Sequence, residues 1–208
     1  MWRHDYFEKF LRKNGFRLIA GVDEVGRGAL AGPVWAAAVI LDGIGAYDEI
    51  RDSKALSPCQ RTRLAKRIDS EAVGVGHGWI SEKEIDEINI LQATHKAMRQ
   101  AICNLPVVPE IVLVDGFLLP GLESPCIGII EGDSRSYTIA AASIVAKVKR
   151  DAFMTALASH YPPYGFDHNM GYGTEFHLRA IASHGPSPCH RRTFQGVVRS
   201  AGVMNDGQ

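Results

Sequence analysis

The sequence predicts an α/β domain, and three observations carry that expectation. Apolar runs of strand length recur along the chain, segments of helical character lie between them, and no repeat, low-complexity tract or linker interrupts the alternation. Such alternation is the pattern of a sheet covered by helices. With 208 residues the chain can bury one substantial core. A single domain over residues 1–208 is expected.

In order, residues 3–14 place Tyr6, Phe7, Phe10 and Leu11 on one side of a short amphipathic helix. Arg17–Glu24 and Val34–Leu41 are two strands joined by a glycine-rich bend. Ser57-Pro58 opens a helix through Ile68, with serine as cap and proline in the first turn. Its many cations form a solvated face. Ala72–Ile80 alternates glycine with larger residues, as a strand packed closely against a neighbour would. Ser81 and Glu84 have capping-box spacing and start one helix running to Cys103. Two further strands, Glu110–Asp115 and Cys126–Glu131, precede a long alanine-rich helix, Tyr137–His160, which Pro162-Pro163 stops. Residues 161–173 form a loop, and a last helix spans Thr174–Ser183.

Hydrophobic residues make up 46% and charged residues 22%, and the net charge is zero. A polyanionic partner must therefore be met by local clusters of cations, because the whole molecule attracts it little. Cys59, Cys103, Cys126 and Cys189 stand far apart without C-x-x-C pairing, which suits reduced thiols and not a zinc site. No signal core or membrane-length apolar run is present. A soluble, cytoplasmic monomer is expected.

Three of the strands end at or near acids: Asp23-Glu24, Asp115, and Glu131 or Asp133. Adjacent strand residues point to opposite faces, so gathering Asp23 and Glu24 needs a kink, which Gly26 and Gly28 permit. Neighbouring strand ends would project several carboxylates into one spot, where they repel and raise at least one pKa. A hard divalent cation, Mn2+ or Mg2+, relieves that repulsion and suits phosphodiester hydrolysis. Residues 26–31 also fit the G-x-G-x-x-A form of a dinucleotide fingerprint, the alternative of an oxidoreductase. Pro33 and a β-prone run follow where that motif requires a helix, and the two acids would oppose a pyrophosphate.

Gly21-Val-Asp-Glu-Val-Gly-Arg-Gly28 with Ala31-Gly-Pro33 resembles the signature of bacterial ribonuclease HII. Further matches follow in that family's order. They are Asp52-Ser-Lys54 with Leu56-Ser57, Val114-Asp-Gly116, Gly132-Asp-Ser134, Ala141–Lys147 with Arg150-Asp151, Gly171-Tyr172, Phe176-His-Leu178 and His190–Phe194. The resemblance covers roughly residues 17–200. It implies a ribonuclease H-like fold, a mixed central sheet flanked by helices with a C-terminal helical extension. It implies endonucleolytic cleavage of RNA in RNA·DNA hybrids and at ribonucleotides embedded in duplex DNA, giving 5′-phosphate and 3′-hydroxyl ends. Asp23, Glu24, Asp115 and Asp133 would be the metal-binding, catalytic carboxylates, which settles the choice between Glu131 and Asp133. Gly26, Arg27 and Gly28 would sense the 2′-hydroxyl through their backbone, and Tyr172 would lie against the junction nucleotide. Lys54, Ser134, Ser143, Lys147 and Arg191 are candidate phosphate contacts. His168 and His177 are expected to be structural, not catalytic. Two departures stand out: Ala29 where many members have proline or cysteine, and Asn169-Met170 where a lysine often stands. A catalytically silent hybrid-binding module is the remaining alternative, against which all four acid positions are filled.

Overall fold

The computed structural model describes residues 5–43, 50 and 56–202. These residues group into two compact units, neither of them a continuous stretch of chain. The first comprises residues up to Val25, Trp35–Trp79 and Thr94–Val148; the second comprises Gly26–Val34, Ile80–Ala93 and Lys149 onward.

The first unit is built on a five-stranded sheet of order β3-β2-β1-β4-β5. Its strands are β1 (Ile19–Val25), β2 (Val34–Ile40), β3 (Gly74–Ile80), β4 (Ile111–Asp115) and β5 (Cys126–Ile129). β2 runs antiparallel to β1, while β4 and β5 run parallel to it, so the sheet is mixed as expected. The parallel pairing sets Val22 beside Val114 and Asp115 beside Ile129, which brings the acid-bearing ends of β1 and β4 to the same edge.

Helix α5 (Tyr137–Ala158) crosses this sheet at very short range. An added Cβ at Gly21 would sit 2.1 Å from the Thr138 carbonyl carbon and 2.3 Å from the Ile139 nitrogen. From Ile139 to Ser143 the helix rises about 6 Å, close to the roughly 6.6 Å from Gly21 to Asp23 along the strand. Ser143 of the helix bonds the Asp23 carboxylate. On the same side, Ala37 and Val39 of β2 and Leu41 just after it pack with Ala140, Ala141, Ile144 and Val145 of α5. Leu64 and Ile68 of α2 (Pro58–Glu71) complete that core. Ser57 caps α2 in a full capping box with Gln60. β3 is indeed closely packed: a Cβ at Gly76 or Gly78 would lie 2.0 Å from the carbonyl oxygen of Ala101 or Ala97 on the following helix.

Helix α1 (Tyr6–Lys13) departs from the expected apolar face. Leu11 is buried but Tyr6 and Phe10 are exposed, and the other buried residue is Glu8. The Glu8 carboxylate accepts hydrogen bonds from Ser136 Oγ at 2.5 Å, Thr138 Oγ1 at 2.8 Å and Thr138 N at 3.1 Å. It thus serves the start of α5, where the amides have no intrahelical partners. Burial raises its pKa.

The expected single helix over residues 81–103 is two helices, α3 (Glu82–Ile88) and α4 (Ile90–Cys103). Asn89 breaks the run at φ 67°, and its Oδ1 accepts from the amides of Leu91 and Gln92. An asparagine side chain offering capping bonds wins over continuation of the helix.

In the second unit, Leu30, Met154, Phe166, Ile181, Cys189 and Val197 share a core. The segment 161–173, expected as loop, holds a 3₁₀ turn at Pro162–Tyr164 and the short helix α6 (Phe166–Asn169). α7 (Glu175–His184) is the expected last helix, but α8 (Gln195–Gly202) follows it. Asp86 of α3 accepts from the amides of Arg192 and Thr193 and from Thr193 Oγ1. Among the described residues no helix is long and apolar enough to cross a membrane.

Candidate active site

Pairing of β1 with β2 continues without interruption through Glu24↔Ala36 and Val25↔Trp35. The chain turns only at Gly26, where φ is 88°. The expected kink between Asp23 and Glu24 is therefore absent. Ser143 bonds the Asp23 carboxylate and also lines a cavity of about 210 Å³ with Glu24, Asp133 and Lys147. Val25, Arg61 and Ile144 complete the lining. Acids and cations thus share one small recess of the first unit.

Asp23 is 5% exposed. Burial first, then the charges of Glu24 and Asp115, push its carboxyl well above the usual range; the Ser143 bond and the Glu24 amide oppose this. Asp115 closes β4, and its Oδ1 accepts from the Gly132 amide at 2.6 Å. Burial raises its pKa first, and neighbouring Asp133 adds to the rise. Asp133 stands on the 3₁₀ turn Gly132–Ser134 that follows β5. Glu131 precedes that turn, exposed and with left-handed backbone at φ 55°. Glu24, Asp23, Asp115 and Asp133 therefore form a run of mutually repelling oxygens, a donor set suited to a hard divalent cation. Among the described residues no three of His, Cys, Asp or Glu already stand close enough to hold an ion by themselves.

Of the candidate phosphate contacts, Ser143 and Lys147 line the recess. Ser134 is exposed and donates to the Glu131 carbonyl at 2.8 Å. Lys54 lies outside the described residues. Arg61, read from the sequence as part of a solvated face, joins the recess; its Nη2 donates to the Leu56 carbonyl at 3.0 Å. Its position after a helix cap was the only sequence signal, and that signal is weak.

Gly26, Arg27 and Gly28 belong to the second unit, where Arg27 and Gly28 are exposed and Gly26 is buried. No helix starts after them. The chain returns as β2, so the motif offers no helix N-terminus for a pyrophosphate and the dinucleotide alternative fails. Two fully buried arginines hold this turn. Arg191 Nη1 donates to the Arg27 carbonyl at 2.8 Å and Nε to the Gly32 carbonyl at 3.0 Å. Arg150 donates to the carbonyls of Pro33, Ala31 and Met170. Arg191, expected among the phosphate contacts, is 0% exposed, and two of its guanidinium nitrogens donate to carbonyls of the turn. Burial, then Arg150, pushes its pKa down to about 9.

Half-buried Tyr172 has its ring 5.6 Å from the Arg150 guanidinium carbon. The neighbouring Gly171 carbonyl accepts from the Leu30 amide at 2.7 Å. Asn169 and Met170, the departures in this segment, have structural work. Asn169 bonds the Tyr164 carbonyl and the Gly171 amide, and Met170 takes left-handed backbone at φ 51°. Ala29 is wholly buried. His168 is exposed, whereas His177 is buried.

A mixed five-stranded sheet with acids at the ends of β1 and β4, backed by a helix bearing Ser143 and Lys147, fits the class of metal-dependent nucleases with a ribonuclease H-like fold. Comparison with known proteins narrows the class. The Ribonuclease HII family model matches residues 20–197. The chain is 48% identical over 199 residues to a ribonuclease HII of Chlamydia pneumoniae, covering 95% of this chain and 92% of the relative. It is 50% identical over 192 residues to one of Caldicellulosiruptor saccharolyticus, covering 91% and 94%. The ribonuclease H2 of Pyrococcus horikoshii shares the fold, with a TM-score of 0.74 at 24% identity, covering 91% of this chain and 99% of that one. The ribonuclease HII of Archaeoglobus fulgidus, solved in complex with PCNA, gives 0.72 at 25% identity, covering 86% and 95%. The chain belongs to the ribonuclease HII family. It is a divalent-metal-dependent endoribonuclease acting on RNA–DNA hybrids.

Proposed function

We propose that Asp23, Glu24, Asp115 and Asp133 hold Mn2+ or Mg2+, and that the enzyme also cuts at single ribonucleotides embedded in duplex DNA. The observation that carries the metal assignment is Asp23, a nearly buried carboxylate whose strongest charged neighbours are other acids. A bound divalent cation supplies activation of water and neutralises charge on the phosphate. The chain's own groups then have distinct tasks. Ser143 holds Asp23 in place, the Gly132 amide orients Asp115, and Lys147 with Arg61 supplies positive charge for a backbone phosphate. Arg27 and Gly28 are exposed residues of the turn, where a 2′-hydroxyl, the group that marks a ribonucleotide in DNA, would be met. Gly26 makes that turn possible, and the Tyr172 ring orients the junction nucleotide.

The test is an end-labelled DNA duplex containing one ribonucleotide, incubated with Mn2+, with Mg2+ and with chelator. A single cut on the 5′ side of the ribonucleotide, leaving 5′-phosphate and 3′-hydroxyl ends and lost with chelator, is expected. Asp23→Asn and Asp115→Asn should each abolish cutting while the proteins remain folded. Activity surviving in both would overturn the metal assignment, and cleavage of long hybrids alone would remove the junction role.

A further inference from the structure

Inside the second unit a chain of hydrogen bonds runs from the Tyr172 carbonyl through two buried histidines. His177 Nδ1 lies 2.9 Å from Tyr172 O, and His177 Nε2 lies 2.9 Å from His190 Nε2. His190 Nδ1 lies 3.0 Å from Ser187 N and 2.8 Å from Ser187 Oγ, and Ser187 Oγ lies 2.9 Å from Cys189 Sγ. His177 and His190 are 0% and 1% exposed.

The donor and acceptor sense of every link follows from the two ends. A carbonyl only accepts, so His177 carries its proton on Nδ1. A neutral imidazole has one N–H, so His177 Nε2 is bare and the facing His190 Nε2 carries a proton. From the other end, the Ser187 amide only donates, so His190 Nδ1 is bare, which again puts the His190 proton on Nε2. The two backbone groups thus demand the same arrangement independently. The Ser187 hydroxyl can then donate to His190 Nδ1 and accept from the Cys189 thiol. Adding a proton to His177 would set two N–H groups head to head at 2.9 Å.

This chain ends on the residue assigned to the junction. The Tyr172 carbonyl also accepts from the Thr174 amide at 2.8 Å, and its own amide donates to Asn169 O at 2.9 Å. Opposite, His190 is bridged to Ala31, and the Arg191 amide donates to the Leu30 carbonyl at 2.9 Å. The histidine pair therefore touches the Tyr172 segment at one end and the segment after the glycine turn at the other.

We propose that His177 and His190, locked as neutral imidazoles in opposite tautomers, are positioning residues that set Tyr172 against the glycine turn and so govern discrimination between an embedded ribonucleotide and a long hybrid. The proposal rests on the reading of Tyr172 given above. Its first test does not: ¹⁵N-resolved NMR of the wild-type protein should show His177 neutral with the proton on Nδ1 and His190 neutral with it on Nε2. The reverse tautomer in either ring overturns it. The second test measures kcat/KM on both substrates. His177→Phe removes both bonds at similar volume and should lower the ratio of single-ribonucleotide to long-hybrid cleavage about tenfold, the effect of about one buried hydrogen bond. His177→Asn, which keeps an N–H near the Nδ1 position, should recover most of that ratio. Tyr172→Ala run alongside separates the two ideas. If it lowers the ratio while His177→Phe only lowers thermal stability, the positioning role is wrong and the Tyr172 reading stands. If Tyr172→Ala leaves the ratio unchanged, the reading falls and the proposal with it, whatever the tautomers.

Discussion

Gly21→Ala tests how the sheet and helix α5 create the acid recess. An alanine Cβ at this position would lie 2.1 Å from Thr138 C, against ordinary contact beginning near 3.4 Å, so α5 must retreat by about 1.3 Å. The opposing atoms are helix backbone, which cannot rotate away as a side-chain tip can. Overpacking costs typically 1–3 kcal/mol, and the upper end applies here, about 3 kcal/mol. At roughly 2–4 °C per kcal/mol for a chain of this size, the melting temperature should fall by about 6–12 °C. The functional loss should be larger than the stability loss suggests. Ser143 sits one helical turn beyond Ile139, and a displacement of about 1 Å in a catalytic group costs on the order of 100-fold. Calorimetry and hybrid cleavage, both well below the variant's melting temperature, measure the two effects. A variant that melts within about 1 °C of wild type and cuts normally would refute the claim that close approach at Gly21 registers the helix on the acids.

The buried histidines make stability fall in acid. Burial, then the neighbouring imidazole, pushes His190 down to about 4, and burial lowers His177. Their contribution is complete above the unfolded value of about 6.5 and is lost as pH falls through the folded value, on the order of 3 kcal/mol for His190. Urea midpoints at pH 7 and 4.5 should converge between wild type and His190→Phe at the lower pH; parallel shifts would deny the effect. Asp23 and Asp115 behave oppositely, because their folded values are raised. Without metal their contribution is complete below about pH 4 and is lost as pH rises, so Mg2+ or Mn2+ should raise the melting temperature more at pH 8 than at pH 5.5. Equal shifts at both pH values would count against these ligands. Arg191→Lys should cost about 2–3 kcal/mol in thermal denaturation, since one ammonium cannot span the Arg27 and Gly32 carbonyls that the guanidinium bridges. An unchanged melting temperature would show that the turn needs no such prop.

What could be read from the sequence is what local chemistry decides. The strands announced themselves as apolar runs, and β1 and β4 carry acids where they leave the core, so the sheet and the acid positions were visible in outline. Ser57 with Gln60 advertised the start of α2 by spacing alone. Asn89 was hidden because its neighbours keep helical character on both sides, and only its side-chain bonds to the next turn end α3. Glu8 was hidden for a different reason. A glutamate in an amphipathic helix is by default solvated, and its burial depends on hydroxyls and an amide 128 and 130 residues away.

The same distinction explains the division of labour among the cations. Lys147 and Arg61 face the acid recess, whereas Arg150 and Arg191 are wholly buried among backbone carbonyls. A planar guanidinium can satisfy several carbonyls that a bend leaves unpaired, which an ammonium does poorly. A turn that leaves strand pairing has carbonyls that need another partner. Arg191 fills that need for Arg27 and Gly32, and Arg150 fills it for Ala31, Pro33 and Met170. An arginine beside a nucleic-acid motif is therefore not by itself a phosphate ligand. Where the neighbouring backbone is irregular and buried, the turn has the prior claim on it.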